Sequence, residues 1–529
     1  MQRRKSISIV MSALALAAAL LLQACSGGGG NGNPPAATNG SGGSSATSGP
    51  SSDTSASSGQ ELEPYEVVIT YFGAPQEDDA LVNEELNKYF KEKINATVKL
   101  EPIASSDFRQ RTELAMNTGE KMDLIFSASW LGFFSNITKG AYVELDDLLE
   151  QYGQGIKQTL HPLYLEAPRM DGKLYAIPTN KEITQGKALT YRKDIVDKYN
   201  IPIETINNMA DLEPWLELIK TNEPDFIPLY VSGGKVPFLM YETNSAFRPV
   251  GPTPNSMPMF FVDSSSSDMT VKSLVDDELV AIDKKEHELY RSYYEKGYIN
   301  ADSATTTTNV GDLRKQGKIW VQPTVWKPGY DEIQAAADNY QFEYISHVVE
   351  EPIVTTELAT GSLFAISRTS KDPARAMMVL NDLHTDPYVV NLLVNGIEDK
   401  HYKKVGDNRI EQIPDSGYGK SALNWVIGNQ LINYLRTGEP DDLYESWEKF
   451  NNEAKRFPLL GFVFDDSNVK NELTRLTSVS QEYSMIGSGA IANPSGVIDE
   501  RNGKLVSAGI EKVRDELQSQ IDAWLAANR

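Results

Sequence analysis

Asp171-Gly172-Lys173-Leu174-Tyr175-Ala176-Ile177-Pro178-Thr179-Asn180 is the stretch on which the division of the chain turns. Asp-Gly is a tight-turn dipeptide, Leu174 to Ile177 reads as a short apolar strand, and Pro178 denies that strand its next ladder donor. A chain built this way turns, runs briefly through a sheet and leaves it abruptly. In isolation the same residues read as an ordinary hairpin; the sequence on either side makes them a crossing between two lobes.

Upstream, Val67 to Phe72 is a buried-strand run, and Leu81, Val82, Leu86, Tyr89, Phe90 and Ile94 recur at helical spacing. Ala96 to Leu100 is extended again, a helix carrying Phe108, Ala115 and Met116 ends at Asn117-Thr118-Gly119, and Asp123 to Phe126 is a third strand. The β-α-β-α-β order predicts a parallel sheet, whose ligands collect beyond the carboxyl ends of the strands. Ser127-Ala128-Ser129-Trp130 lies there.

Downstream, Ala188 to Arg192 and Ile227 to Val231 read as strands around a helix from Asp211 to Lys220, followed by a helical block from Leu274 to Lys296. Lys318 to Pro323 is a second strand with a sudden end, and Ser362 to Ser367 a third apolar run. Beyond Asp372 the pattern is mostly helical, with a last helix from about Lys504 to Ala527. Strands near residues 177, 321 and 366 are the candidate crossings. They place 61–178 with about 318–366 in one lobe, and 179–317 with about 367–529 in the other.

The amino end carries Arg3, Arg4 and Lys5, an apolar run from Ile7 to Leu22, and then Leu22-Gln23-Ala24-Cys25. This reads as a secretory signal over 1–24, too short for the ~20 residues of a membrane span. Leu-Gln-Ala-Cys resembles the bacterial lipobox, which implies cleavage before Cys25 and lipidation of its thiol. Cys25 is the only cysteine, so the chain makes no intramolecular disulfide. Residues 25–60 read as lipidated cysteine and tether: Ser26 to Gln60 holds ten Gly, ten Ser and one charge, Asp53. Such a tether reaches ~30 to 35 Å on average. The expected location is the outer face of the cell membrane, held by lipid.

Loss of Arg3, Arg4 and Lys5 takes the formal charge from -23 to -26. That acidity opposes binding to nucleic acid, whose sequence-independent affinity comes from phosphate neutralisation. Neutral solutes, cations and proteins remain as partners. The body from Glu61 onward is too long for one core and long enough for two or three.

The five histidines, His161, His287, His347, His384 and His401, show no metal-ligand spacing, and no GxSxG, P-loop or GxGxxG motif follows a strand. No cofactor or metal is expected. Among 73 acidic residues, the pairs Asp465-Asp466, Asp276-Asp277 and Asp441-Asp442 read as solvated faces or helix caps, although a glycosidase needs only two carboxylates. The seven tryptophans divide more usefully. Trp215, Trp320, Trp447 and Trp524 sit among apolar neighbours and read as core. Trp130, Trp326 and Trp425 follow strand ends or border Gly and Asn, where an indole face can stack on a sugar's C–H groups.

With these residues in place, the chain resembles the bacterial extracellular solute-binding lipoproteins of the family 1 type, receptors of ABC importers, and more narrowly the LplA-like lipoproteins. The resemblance rests on Leu22-Gln23-Ala24-Cys25, Asp171 to Pro178, Asn395-Gly396-Ile397-Glu398-Asp399-Lys400-His401-Tyr402 and Gly461-Phe462-Val463-Phe464-Asp465. It implies an α/β, two-lobe periplasmic-binding-protein-like fold of type II with a largely helical C-terminal region. It also implies a carbohydrate ligand, an oligosaccharide or glycoside, in a cleft that closes by hinge motion, delivery to ABC permease subunits, a monomeric receptor and no catalysis. By position it singles out Thr179, Asn180, Lys181 and Glu182 after the first crossing, Ser127 and Ser129 with Trp130, Gln322 with Trp326, Asn424 with Trp425, and Asp465. A receptor for peptide or another non-sugar solute, and a surface-anchored glycoside-active enzyme, are the alternatives.

Overall fold

The computed structural model describes residues 62–233, 247–420 and 424–528. The signal, Cys25 and tether expected over 1–60 lie outside the described residues. β1 (Tyr65–Phe72) is buried from Val67 to Tyr71, as a strand covered on both faces must be. α1 (Asp79–Ile94) buries Val82, Leu86 and Phe90 at four-residue spacing and ends where Asn95 turns left-handed at φ 46°. β2 (Ala96–Ile103), α2 (Phe108–Thr118) and β3 (Leu124–Ser127) complete the unit. β1 pairs in parallel with both β2 and β3.

The Asp171 stretch is both hairpin and crossing. β4 (Arg169–Met170) and β5 (Lys173–Leu174) pair across Asp171 and Gly172, at φ 51° and 79°, the two positive values that a type I′ turn needs. β6 (Ala176–Pro178) follows at once. Next come β7 (Gly186–Arg192), the short strands β8 (Phe247–Pro249), β9 (Phe260–Asp263) and β10 (Val271–Ser273), then β11 (Val321–Trp326), β12 (Tyr344–Glu350), β13 (Ile353–Val354) and β14 (Leu363–Ile366). β15 (Tyr402–Lys404), β16 (Arg409–Gln412) and β17 (Leu435–Arg436) form a small separate sheet.

Two larger sheets define two lobes. The first has the order β2-β1-β3-β14-β6, with β14 antiparallel to both neighbours. Pro178 ends its outer strand, where a missing N–H costs no ladder bond. Val67, Leu86, Phe126, Ile177 and Phe364 share a core on it with Ala376, Val379 and Leu380 of the Pro373–Thr385 helix. The second sheet, β11-β7-β12, is antiparallel and packs Leu189, Tyr191, Leu216, Tyr290 and Trp320. In the helical C-terminal region, Lys470–Glu482, Pro494–Ala508 and Ile510–Asn528 pack with β8-β9-β10 around Phe260, Leu476, Leu505 and Leu517.

Several expectations change. The stretch 318–366 is divided: β11 belongs to the second sheet and β14 to the first. The helix at Pro373–Thr385 packs on the first sheet, although the sequence reading placed everything after 366 in the other lobe. A strand's existence is local, whereas its partner is chosen by distant packing. Of the three candidate crossings, only the one after Ile177 leads directly from one sheet to the other. β11 also runs through Pro323 to Trp326, because it is an outer strand paired only with β7. Ile227 and Leu229 make isolated bridges rather than a ladder. The last helix is two, broken at Gly509, whose φ of 97° disfavours any residue with a side chain.

Candidate functional site

β1 and β3 point their carboxyl ends the same way, and an aromatic cluster has assembled there. Phe72 closes β1 and its ring lies 6.1 Å from Trp130 and 5.3 Å from Trp425. Phe126, near the end of β3, lies 6.3 Å from Trp130 and 6.0 Å from Trp425. The two tryptophans, nearly 300 positions apart in the chain, thus share one pair of phenylalanines. Trp130 is 51% exposed, yet its indole N–H donates to Gly361 O at 2.9 Å and its own carbonyl accepts from Arg109. The ring is pinned while much of its surface stays open. Trp425 is half-buried, its carbonyl accepting from Ser362 Oγ at 2.8 Å. Ser129 Oγ reaches Glu357 O at 3.3 Å, and Ser127 Oγ is buried against Tyr142 Oη at 3.1 Å. Asn424, half-buried, precedes Trp425.

The residues after Pro178 behave differently. Thr179 is 1% exposed; its N–H donates to Ser362 O at 3.0 Å, and its hydroxyl meets Ser362 Oγ at 2.9 Å and Val426 O at 3.1 Å. Asn180 is bridged through its backbone to Gly428 and Gln430. The Lys181 carbonyl accepts from the Tyr164 hydroxyl and from Asn451 Nδ2, and Asn451 Oδ1 accepts from the Ile183 N–H at 2.8 Å. Glu182 is buried, with Lys327 Nζ at 3.0 Å and Lys181 Nζ at 3.4 Å. Burial pushes the Glu182 carboxyl up, but the two ammonium groups override it and hold it at about 2. Burial pulls the Lys327 ammonium below its usual range, with Glu182 opposing that shift. Lys327 also lies 4.0 Å from the Trp447 ring centroid. Thr179 to Glu182 therefore form a bonded strut at the crossing.

The other sequence candidates scatter. Gln322 is buried at the edge of a network in which Arg314 donates to Asp338 and Tyr344 donates to Asp338 at 2.6 Å. Trp326, at the end of β11, stands edge-on to Phe450 at 5.9 Å. Asp465 is exposed; its carboxylate accepts from the Ser467 N–H at 3.0 Å, and its N–H donates to Gln520 at 2.8 Å in the helical region. Asp465 thus closes a local turn held against the last helix. Trp320 and Trp447 are fully buried, and Trp524 packs on Phe462. Among the described residues, no group of three or more His, Cys, Asp or Glu is arranged to hold a metal. Sequence reasoning missed Phe72 and Phe126, although their place at strand ends was a usable signal. It also missed Lys327 and Asn451, whose part arises only from distant contacts.

The fold and this site define a class. The family model for bacterial extracellular solute-binding protein matches residues 85–382, more than half of the chain, and the protein belongs to that family. It is an extracellular binding protein rather than an enzyme. A domain of unknown function, DUF3502, matches residues 458–526, the helical C-terminal region. The chain is 29% identical over 455 residues to a carbohydrate ABC transporter substrate-binding protein of Streptococcus pneumoniae, covering 85% of this chain and 88% of that one. It is similar to the crystal structure of the N-glycan transport solute binding protein NgtS from the same species. That alignment has 26% identity and a TM-score of 0.76 over 88% of this chain and all of that one. NgtS in complex with Man5GlcNAc aligns at 0.65 over the same shares.

Proposed function

We propose that the protein captures a carbohydrate, an oligosaccharide or glycoside, between its lobes and delivers it to an ABC importer. The observation that carries this reading is the pinned, half-open indole of Trp130 beside Trp425 and Phe72 at the carboxyl ends of the parallel strands. A flat apolar face held in advance suits the C–H face of a pyranose, and prior ordering lowers the entropic cost of binding. Ser129 and Asn424 stand beside it as hydroxyl partners. Trp326 faces the solute from the second lobe, and Thr179 to Glu182 act as the hinge strut rather than as direct ligands. The likeness to a carbohydrate receptor and to an N-glycan receptor supports the solute class.

In this reading the lobes swing together about the strut. Closure is then a population shift that the permease senses. Cys25 carries the lipid that holds a monomeric receptor on the outer face of the membrane. The order of the Leu22, Asp171, Asn395 and Gly461 motifs supports the narrower LplA-like type. A thermal-shift screen against neutral oligosaccharides, Man5GlcNAc included, and against peptides tests the solute class. Saccharides should raise the melting temperature by mass action; stabilisation by peptides alone would overturn it, and product formation would overturn a receptor role.

A further inference from the structure

Away from the Trp130 cluster, a cavity of about 240 Å³ opens on the flank of the first lobe, between α1, the Pro387–Asn395 helix and the small β15-β16-β17 sheet. We infer that this cavity is an accessory site for one neutral sugar ring, separate from the interlobe cleft. Three observations carry the assignment.

The first is a pair of braced aromatic platforms. Tyr388 is 51% exposed, and its ring rests on Tyr89 at 5.7 Å, whose hydroxyl is in turn donated to Asp386. Tyr434 is backed by Tyr402 at 5.9 Å and by the Lys404 ammonium 5.2 Å from its ring centroid. Both rings line the cavity and are braced by these neighbours, of which Tyr402 and Lys404 line it too. The second is charge balance. The cavity's two carboxylates each have an ammonium beside them, Glu398 that of Lys404 at 3.0 Å and Glu85 that of Lys88 at 2.7 Å, which Glu84 shares at 3.6 Å. Neither carboxylate is left bare to attract a cation, while the oxygens and the Lys404 ammonium remain suited to hydroxyl groups. The third is size. The cavity falls below the ~300 to 1,000 Å³ that hold a drug-sized ligand, so it takes a single ring with its linkage rather than a folded chain. An apolar ring face meeting tyrosine, with equatorial hydroxyls meeting matched charges, is the chemistry of a neutral pyranoside.

Saturation-transfer NMR with methyl α-mannopyranoside tests the site in a Trp130→Ala/Trp425→Ala background, which removes the cleft platforms. Signal should persist there, fall about fivefold or more on adding Tyr388→Ala, and return with Tyr388→Trp. No signal in the background, or equal signal with Tyr388→Ala, would overturn the accessory site. A second measurement needs no cleft variant. In the protein labelled with 3-fluorotyrosine, the glycoside should shift the Tyr388 resonance, assigned by Tyr388→Phe; an unmoved Tyr388 resonance at saturating glycoside would overturn it as well. Failure of the cleft reading shows separately, as oligosaccharide affinity that is the same in the native protein and the Trp130→Ala/Trp425→Ala variant.

Discussion

Ser127 to Trp130 and Thr179 to Glu182 both follow the abrupt end of a strand, and both read from sequence as lining the cleft. In the structure Ser127 is buried, but the two stretches diverge beyond it. The Trp130 indole has one polar anchor and a half-open ring, whereas Thr179, Asn180 and Glu182 are buried and bonded on several sides. A strand that stops tells where the chain leaves a sheet. Whether the next side chains meet solvent depends on what else passes through the gap. After β3 the segment 357–361 passes on one side and leaves the Trp130 ring half open; after β6 the chain shares its path with Ser362, Val426, Gly428 and Asn451. One region leaves an aromatic face open, and the other is closed by bonds.

The largest expected effect falls on the strut. Glu182→Gln leaves the buried Lys327 without its carboxylate and should cost ~3 to 5 kcal/mol, read as a lower denaturation midpoint at unchanged m-value. Because Glu182 titrates at about 2 in the folded chain, below the ~4.3 of a free glutamate, its stabilisation is complete above the unfolded pKa. It is lost as the pH falls from there toward 2. Native and Glu182→Gln stabilities should therefore converge across that window; a gap that stays constant to pH 2 would contradict the pairing. Next in size, Trp425→Ala should weaken oligosaccharide binding by about tenfold or more, the loss of ~1.4 kcal/mol, while Trp524→Ala leaves affinity unchanged. Equal affinities would erase the distinction between cleft and core tryptophans. The smallest effect is Thr179→Val, which removes the hydroxyl that meets Ser362 Oγ and the Val426 carbonyl. It should cost ~1 to 2 kcal/mol of stability with little change in calorimetric affinity. A loss of affinity exceeding the loss of stability would return Thr179 to the solute-facing set.

The first lobe was legible because its signals are local. Val67 to Phe72 is apolar throughout, Val82, Leu86 and Phe90 repeat at helical spacing, and Asp171-Gly172 demands one turn type. The partners of β11 and β14 were not legible, since a short apolar strand carries no mark of which sheet it joins. In the candidate site, Trp130 and Trp425 stand out in the sequence by their place beside strand ends and small polar residues. Their convergence on Phe72 and Phe126 depends on contacts across nearly 300 positions. The partner of Glu182 was not legible either, since nothing nearby in sequence announces Lys327.

The account's central claim is that the Trp130 face receives a saccharide. Calorimetric titration of native protein and Trp130→Ala, using the saccharide that gives the largest thermal shift, tests it most directly. Trp130 is half exposed, so the variant should stay folded while its affinity falls by about tenfold or more. Equal affinity in the two proteins, with binding intact, would contradict the claim.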